Sequence, residues 1–303
     1  MINQKLKELL QCPSCRSRKL TFSEAQIKCA QCSATFEISD GIPDMLVKNT
    51  TVGEESEIHR AFQTTFNYID HYQKDAFEFD YYQERPGATG HNERRLREFI
   101  SRHVPKEKGF ILDVGCGNAW VAEYFCKKGY TVLSFDISQK NTHDAVKNYP
   151  SENHVAVVGD VFSLPFQPEK FDCIIASEVI EHVTVPAKFT ETLFRALKPG
   201  GKLIVTTPYK EKIIYTLCVH CNRPTPRSAH LHSFDEQKIL SLYNGDDVKK
   251  VEFFKFGNKA LAYLRTHILL SMFGFRVWRL IDKFANRLYN KPLNILVKWE
   301  KQS

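Results

Sequence analysis

Residues 110–117, with the sequence Phe-Ile-Leu-Asp-Val-Gly-Cys-Gly, constrain the fold more than any other stretch of the chain. An apolar run typical of a buried parallel strand ends there in an acid and a glycine-spaced turn, and a helix-forming stretch follows from Trp120. Strand, glycine-rich turn and helix in this order form the nucleotide-binding corner of a doubly wound sheet, because the missing side chains allow a ligand to lie against the backbone. The sequence therefore predicts an α/β fold.

The neighbours of the two glycines indicate which nucleotide binds. Trp120 stands where a dinucleotide-binding turn needs a third glycine for close packing of helix on strand, which disfavours NAD and FAD. Asp113 lies two residues before the first glycine, where an anion would repel a pyrophosphate but suits an ammonium group. A cofactor with a positively charged end fits this corner better than a dinucleotide.

Later apolar runs also end in polar residues. Asp136 closes the next predicted strand about twenty residues after the glycines, the usual distance for an acid that meets ribose hydroxyls. Asp160 ends a third short strand in a position suited to an adenine amino group, and Ser177 and Glu178 end a fourth. Leu197-Lys-Pro-Gly-Gly201 then precedes a fifth strand.

In order and spacing, these segments resemble the Rossmann-like S-adenosylmethionine-dependent methyltransferases over roughly residues 85–300. The resemblance implies a doubly wound, mostly parallel, seven-stranded Rossmann-like sheet. It also implies a cofactor site in which Asp113, Gly115 and Gly117 hold the methionine end, Asp136 the ribose, Asp160 and Val161 the adenine, and Ser177 lies at the neighbouring strand end.

The first fifty residues contain two Cys-x-x-Cys pairs, Cys12/Cys15 and Cys29/Cys32, separated by thirteen residues. Two such pairs on short hairpins place four thiolates around a tetrahedral zinc ion with no open position for water, so the predicted zinc is structural. Residues 8–47 resemble the zinc-ribbon module that activates some tRNA and protein methyltransferases. In a reducing compartment, disulfides explain the cysteines less well.

Three parts are therefore expected: a zinc ribbon (1–47), a linker with helical parts that covers the cofactor or acts only as a spacer (48–84), and the methyltransferase domain (85–303) with a helical insertion at 258–290. The amino terminus shows no secretory signal pattern and the sequence contains no apolar run of membrane-spanning length. The expected location is the cytoplasm, with peripheral contact at a membrane as an alternative.

The candidate catalytic stretch follows the fourth strand and contains Glu178, Glu181 and His182. If a helical turn begins here, the three side chains share one face. His182 then acts as a base that takes a proton from the acceptor, or the three residues bind a divalent metal that lowers the pKa of an acceptor hydroxyl. A purely structural helix start is the third interpretation.

The same Glu-x-x-Glu-His pattern occurs in ubiquinone-pathway O-methyltransferases and in small-RNA 2′-O-methyltransferases, where it is associated with metal. The small-RNA enzymes add a further histidine downstream. The resemblance thus implies a methyl acceptor with a hydroxyl group and leaves the base and metal interpretations open.

A second group of metal-ligating residue types comprises Cys218, Cys221, His230 and His232. These side chains bind a second zinc, or one of the histidines completes a site with Glu181 and His182. The alternative is a loop with buried thiols that leads into a helix capped by Ser233 or Asp235.

The net charge of +7 is concentrated at the carboxyl end, where residues 249–303 carry twelve lysines and arginines against three acids. Apolar spacing predicts a helix over residues 260–289, between two final strands at Val251–Phe256 and Asn294–Trp299. A basic amphipathic helix suits an anionic membrane, an apolar substrate or RNA phosphates. Alternatively, its apolar face covers the core and its charges are solvated.

The leading functional hypothesis is a methyltransferase that uses S-adenosylmethionine to methylate a hydroxyl of a small, lipid-like or glycan-linked acceptor. The first alternative is a ribosomal-RNA or transfer-RNA methyltransferase that grips RNA through the ribbon and the basic tail. The second is a non-catalytic activator whose ribbon binds a partner enzyme.

Overall fold

The computed structural model describes residues 2–47 and 67–303, so residues 48–66 of the predicted linker lie outside the described part. The amino-terminal unit begins with a short helix and continues with four antiparallel strands in the order β1-β2-β3-β4. Their bounds are α1 (Gln4–Leu9), β1 (Leu20–Phe22), β2 (Gln26–Cys29), β3 (Thr35–Ser39) and β4 (Ile42–Pro43). The four ribbon cysteines lie at the start of this unit and around the β2–β3 turn.

The main domain is built on a seven-stranded sheet in the order β12-β13-β9-β8-β5-β6-β7. Only β13 runs antiparallel to its neighbours, so the predicted doubly wound, mostly parallel Rossmann-like sheet is confirmed. The strands are β5 (Phe110–Val114), β6 (Thr131–Asp136), β7 (His154–Val158), β8 (Phe171–Ser177), β9 (Leu197–Pro208), β12 (Val248–Asn258) and β13 (Pro292–Lys301). A separate hairpin joins β10 (Tyr215–Leu217) to β11 (Pro224–Pro226).

Helices pack on the sheet and extend from its carboxyl edge. They are α2 (Tyr68–Glu78), α3 (Gly87–Ser101), α4 (Trp120–Cys126), α5 (Gln139–Asn148), α6 (Pro186–Ala196), α7 (Glu236–Leu240), α8 (Lys259–Tyr263), α9 (His267–Leu270) and α10 (Phe275–Leu288). Among these helices, none combines the length and the apolar character needed to cross a bilayer.

The insertion between the last two strands differs from the single helix predicted over residues 260–289. It consists of α8, α9 and α10, because Arg265 takes a left-handed conformation (φ 55°) after α8 and Gly274 provides an extended residue before α10. The insertion separates the final two strands, as predicted.

The glycine turn after β5 lies where the sequence predicts it. Gly115 has a φ of +68°, and a Cβ atom added there would lie 2.7 Å from a methyl carbon of Val179, so only glycine fits. The Gly115 amide donates to the carbonyl of Phe135 at the end of β6, which fixes the turn against the neighbouring strand. The backbone of this turn is thereby left accessible at the carboxyl edge of the sheet.

The ribbon packs directly on the sheet edge at β7. The backbone amide of Met45 donates to the carbonyl of Val158 at 2.8 Å, and the amide of Gln11 donates to the carbonyl of Pro165 at the same distance. Buried ribbon side chains, including Leu10 and Met45, share one apolar cluster with Phe135 of the main sheet. Burial of each large apolar side chain contributes about 1.5–3 kcal/mol, so the ribbon and the sheet stabilise each other.

Candidate active site

A cavity of about 1330 Å³ opens at the carboxyl ends of the parallel strands. This volume exceeds that of a typical single-ligand pocket, about 300–1,000 Å³, and leaves room for a cofactor and an acceptor together. All the predicted cofactor residues line it: Asp113, Gly115, Gly117, Asp136, Asp160, Val161 and Ser177.

Asp113 is the most unusual of these residues. Its side chain is 3% exposed, and its Oδ2 atom has no hydrogen-bond partner among the described residues. Burial, and then the nearby charge of Asp136, raise the pKa of the Asp113 carboxyl well above its ordinary value. A cationic ligand group would favour the ionised form of Asp113 through its opposite charge, and its N–H groups would supply the missing hydrogen-bond donor to Oδ2.

Asp136 is already engaged with protein donors. It accepts hydrogen bonds from the Ser138 amide at 2.9 Å, and from the Gly117 amide and the Asn141 side chain at 3.3 Å each. The acid therefore organises the glycine turn as well as lining the cavity. A carboxylate has about four lone-pair positions, so ribose hydroxyls can still donate to it.

Helix α2 covers the adenine end of the predicted cofactor site through Tyr68. The Tyr68 hydroxyl donates to Asp160 Oδ2 at 2.6 Å, while Asp160 Oδ1 accepts from the Phe162 amide at 3.0 Å. We expected Asp160 to meet adenine, but one of its two carboxylate oxygens is instead bonded to Tyr68 of α2. Tyr68 is not among the predicted site residues, although the four aromatic residues between positions 66 and 77 are a sequence signal for a helix with a buried face.

No helix begins at Glu178, so the condition under which Glu178, Glu181 and His182 would share one helix face is not met. Glu178 takes a left-handed conformation (φ 55°), residues 180–182 form a turn, and α6 begins only at Pro186, since proline is favoured in the first turn of a helix. The three candidate residues therefore do not share a helix face. The structure instead brings Glu181 and His182 together with His230, with one ligating atom of each lying within 4.8 Å of the others.

His182 is held as a neutral imidazole. Its Nδ1 atom lies 3.2 Å from the carbonyl oxygen of Ala229, so Nδ1 carries the proton and Nε2 is left as an acceptor. Burial, and then the nearby His230, lower the pKa of His182 to about 4. At neutral pH the side chain is thus a free base that can accept a proton or bind a metal.

Each of the two acids beside His182, Glu178 and Glu181, has one carboxylate oxygen without a hydrogen-bond partner in the described structure. Glu181 is 1% exposed, and its Oε2 atom lacks a partner within the described ranges. Burial, and then the charge of Glu178, raise the Glu181 pKa well above its ordinary value. Burial also raises the pKa of Glu178 from 4.5 to about 7, while Asn294 donates to its Oε2 at 3.2 Å. Two unsatisfied acids at one point favour a cationic or proton-donating ligand there.

His230 reaches the site on a strained loop. Ser228 and Ala229 both take left-handed conformations, with φ values of 60° and 54°. The His230 Nδ1 atom lies 2.5 Å from Glu211 Oε2, which directs its Nε2 atom away from that carboxylate. From the sequence, His230 is one of several candidate ligands. Its partner Glu211, which is 19 residues away along the chain, is not predicted.

The predicted second zinc site does not form. His232 donates from Nε2 to the carbonyl of Val183 at 3.0 Å. In the part of the chain that the structure describes, Cys218 and Cys221 join no group of three metal-ligating side chains. They lie beside the cavity on the β10–β11 hairpin, and Asp235 caps α7 as the alternative interpretation expected.

The ribbon cysteines do form a four-thiol cluster, with all Sγ atoms within 4.8 Å of one another. Cys12 Sγ lies 3.6 Å from Cys32 Sγ, and Cys15 Sγ lies 3.6 Å from Cys29 Sγ. A tetrahedral zinc with Zn–S bonds of about 2.3 Å places its sulfurs roughly 3.8 Å apart. The four thiols therefore fit a structural zinc ion.

Comparison with known proteins gives matches to methyltransferases. Residues 112–205 match the sequence profile of a family described as a methyltransferase domain. The ubiquinone biosynthesis O-methyltransferase of Xylella fastidiosa is 29% identical over 142 residues, which is 44% of this chain and 57% of that protein. The enzyme of the same name from Caulobacter vibrioides is 35% identical over 113 residues, covering 34% of this chain and 42% of that protein. The chain spans about half the length of the curated relatives it matches.

Solved structures share the fold at low sequence identity. A phosphoethanolamine N-methyltransferase of Haemonchus contortus, in complex with phosphomonomethylethanolamine and S-adenosylhomocysteine, matches with a TM-score of 0.52 and 17% identity, covering 79% of this chain and 61% of that one. A chain from a complex of the Haloferax volcanii Trm112 methyltransferase activator matches with a TM-score of 0.51 and 14% identity, covering 79% of this chain and all of that one. The profile match thus places a methyltransferase domain at residues 112–205 of this chain, the segment that contains the glycine turn and the strand ends bordering the cavity.

Proposed function

We propose that the protein transfers a methyl group from S-adenosylmethionine to a hydroxyl group of a small, lipid-like or glycan-linked acceptor. One observation carries the proposal: a single cavity contains the glycine turn with the partly unpaired Asp113 and, beside it, the neutral His182. Relatives named for O-methylation at modest identity support the same reaction type.

On the cofactor side, Asp113 would bind the ammonium of the methionine end, and the backbone at Gly115 and Gly117 would lie against it. Asp136 would accept from the ribose hydroxyls, and Asp160 and Val161 would border the adenine. The cofactor, when bound, supplies a methyl group already activated on a sulfonium. The protein therefore contributes mainly alignment of acceptor and donor, which can supply up to about 7–11 kcal/mol.

On the acceptor side, His182 would accept the hydroxyl proton at Nε2. The bound S-adenosylmethionine would supply its methyl group to the acceptor oxygen, with cleavage of the sulfur–methyl bond and release of S-adenosylhomocysteine. The carbonyl of Ala229 holds the opposite ring nitrogen and so fixes the tautomer that this step needs. A pKa of about 4 makes His182 a weak base, so it serves best when the acceptor hydroxyl is itself acidic, as in a phenol.

The metal alternative gains support from His230. The Nδ1 atom of His182 is hydrogen-bonded to the carbonyl oxygen of Ala229, and the Nδ1 atom of His230 to a carboxylate oxygen of Glu211. The Nε2 atoms of both histidines are therefore available, as is usual for metal-ligating histidines. Glu181 adds a carboxylate oxygen that has no partner elsewhere in the described structure. These three side chains would hold a divalent cation that lowers the pKa of the acceptor hydroxyl.

The proposal is tested by incubating the protein and labelled S-adenosylmethionine with host extract, then separating lipid, small-molecule, RNA and protein fractions. Label in the lipid or small-molecule fraction supports the proposed acceptor class. Label in RNA would replace it with the RNA methyltransferase alternative. Absence of label in every fraction, together with absence of cofactor binding, would favour the non-catalytic activator.

Replacing Asp113 with alanine is expected to weaken S-adenosylhomocysteine binding by about 10–100-fold, because a hydrogen bond to a charged group contributes roughly 1.5–3 kcal/mol. The melting temperature of the free protein should not fall, since the variant removes a buried, partly unpaired acid. Calorimetric titration measures the affinity. Asp144→Ala on α5, whose side chain pairs with Lys140, is the matched control and should bind like the parent. Unchanged affinity in Asp113→Ala would contradict the assigned role.

A further inference from the structure

The helical insertion exposes many large apolar side chains, and we name the surface that carries them the insertion face. In soluble proteins single exposed apolar side chains are common, but large contiguous patches mark interaction sites. The most exposed apolar side chains of α8, α9, α10 and their junctions, each more than 60% exposed, are Tyr263 (88%), Leu264 (68%), Ile268 (61%), Leu269 (67%), Met272 (81%), Leu280 (68%), Phe284 (63%) and Leu288 (72%).

Helix α10 shows that this surface is not part of the core. Its inner side carries Trp278, 5% exposed, and Asp282, fully buried, and Asn286 donates to the carbonyl of Gly257 at 3.2 Å. At about 100° per residue, Leu280, Phe284 and Leu288 share a different side of the helix. The interpretation in which the helix covers the core holds for Phe275, Trp278 and Ile281, which pack into a core cluster. It does not hold for the exposed stripe of Leu280, Phe284 and Leu288.

A basic row borders the apolar stripe. Arg276, Lys283 and Arg287 are all exposed and fall within about 40° of one another around α10. Residues 259–291 contain seven lysines and arginines and a single acid, Asp282. That acid is buried and paired with Arg279. The charges that this insertion exposes are thus of one sign.

We propose that the insertion face docks on an anionic lipid bilayer. An apolar stripe flanked by lysine and arginine is the pattern of helices that lie in the interface plane of a membrane. RNA would use the basic row and leave the apolar stripe uncovered. A second copy of the chain would bring two basic rows together, which costs free energy.

The docked bilayer would lie beside the cavity. The insertion leaves β12 at Asn258, which pairs with Pro292, and Asn294 pairs with Pro208 at the carboxyl end of β9. The insertion therefore starts from the sheet edge that carries the cavity. Arg95 of α3 donates to the carbonyls of Leu270 and Phe273 at 2.7 and 2.6 Å.

The opposite side of α3 lines the cavity with Glu93, Leu96 and Arg97, so one helix connects the insertion to the cavity wall. The β10–β11 hairpin, beside the same cavity, adds the exposed side chains of Leu217 (68%) and Val219 (89%). Delivery of an acceptor from the bilayer rests on the proposed function, whereas docking itself rests on the surface alone.

Co-sedimentation with vesicles tests the inference without any measurement of activity. The full-length protein should bind vesicles of equal parts phosphatidylglycerol and phosphatidylcholine, and bind pure phosphatidylcholine much more weakly. The triple variant Arg276→Gln, Lys283→Gln and Arg287→Gln should lower binding about a hundredfold, because each basic residue near an anionic surface contributes about 1 kcal/mol. The double variant Leu280→Ser and Phe284→Ser should lower it at least about tenfold.

The matched control replaces Lys106, Lys108 and Lys147 with glutamine. These exposed lysines precede β5 or end α5, away from the cavity edge, and their loss removes the same charge. Equal binding by the control and the triple insertion variant would overturn the proposal, as would absence of binding to the anionic vesicles. The proposal would also be overturned if the parent were a dimer in solution that the double variant converts to a monomer. Binding of the protein to RNA without competition from the vesicles would overturn it as well.

Discussion

Replacing Cys29 with serine is expected to release the ribbon metal and to destabilise the protein by on the order of 5 kcal/mol or more. A structural zinc supplies folding free energy outright, because its thiolates come together only in the folded state. Cys29 is fully buried at the end of β2, and the adjacent apolar side chains belong to the same cluster as Phe135 of the main sheet. Loss of the metal should therefore unfold residues 2–47 and loosen the β7 edge, seen as a lower thermal midpoint and as metal content below one equivalent.

Cys221→Ser is the matched control, since Cys221 also belongs to a Cys-x-x-Cys pair but is exposed on the hairpin. We expect this variant to keep one zinc per chain and the thermal midpoint of the parent. A parent protein that contains no zinc, or a Cys29→Ser variant as stable as the parent, would refute the ribbon assignment. Two zinc equivalents, with one lost in Cys221→Ser, would restore the second site that the structure does not form.

Much of the fold could be predicted from sequence because its signals are local. The acid and glycines at residues 113–117 are adjacent in the chain, and their strand, turn and helix order is dictated by backbone geometry. The same holds for the four ribbon cysteines, whose spacing brings their sulfurs together on neighbouring turns. Each predicted cofactor residue also lines the cavity, because parallel strands end at one edge of the sheet.

The candidate catalytic group was harder to predict because its members come from distant parts of the chain. Glu181 and His182 are adjacent, but His230 joins them through two left-handed residues, Ser228 and Ala229, of types that rarely adopt that conformation. The helical turn expected at Glu178 failed for a related reason, a left-handed residue at the strand end. Such conformations depend on surrounding contacts rather than on local propensity.

In the helical insertion, the sequence could not predict which side of the helix is buried. Its sequence indicated an amphipathic helix but not which side faces the protein. Trp278 and the acid Asp282 turn out to be buried, while Leu280 and Phe284 are exposed. An acid is an unexpected core residue, and it is tolerated here because Arg279 pairs with it and Asn286 donates to it at 3.0 Å. Periodicity alone reports two faces, and the tertiary contacts decide which is buried.

Replacing His182 with alanine is expected to lower kcat by about 10²–10⁴-fold and to leave the affinity for S-adenosylhomocysteine unchanged. A decrease of this size is typical for removal of a positioned proton acceptor, and removal of a metal ligand should lower kcat by at least as much. His182 lies beside the cofactor turn but is not among the residues that we assign to hold the cofactor. Single-turnover methyl transfer and calorimetric titration measure the two quantities, and His143→Ala on α5, whose ring bonds within its own helix, should behave like the parent.

The companion variants His230→Ala and Glu181→Gln separate the base from the metal interpretation. If His182 acts as the base alone, His230→Ala should lose only a few-fold in kcat, because its ring merely packs against His182 at a centroid distance of 4.8 Å. If the three residues hold a divalent cation, all three variants should lose activity to a similar degree, since removing any one ligand disrupts the site. Added Mg²⁺ or Mn²⁺ should then stimulate the parent and not the variants. Normal turnover in His182→Ala would contradict both the base and the metal interpretation and would make the residue structural.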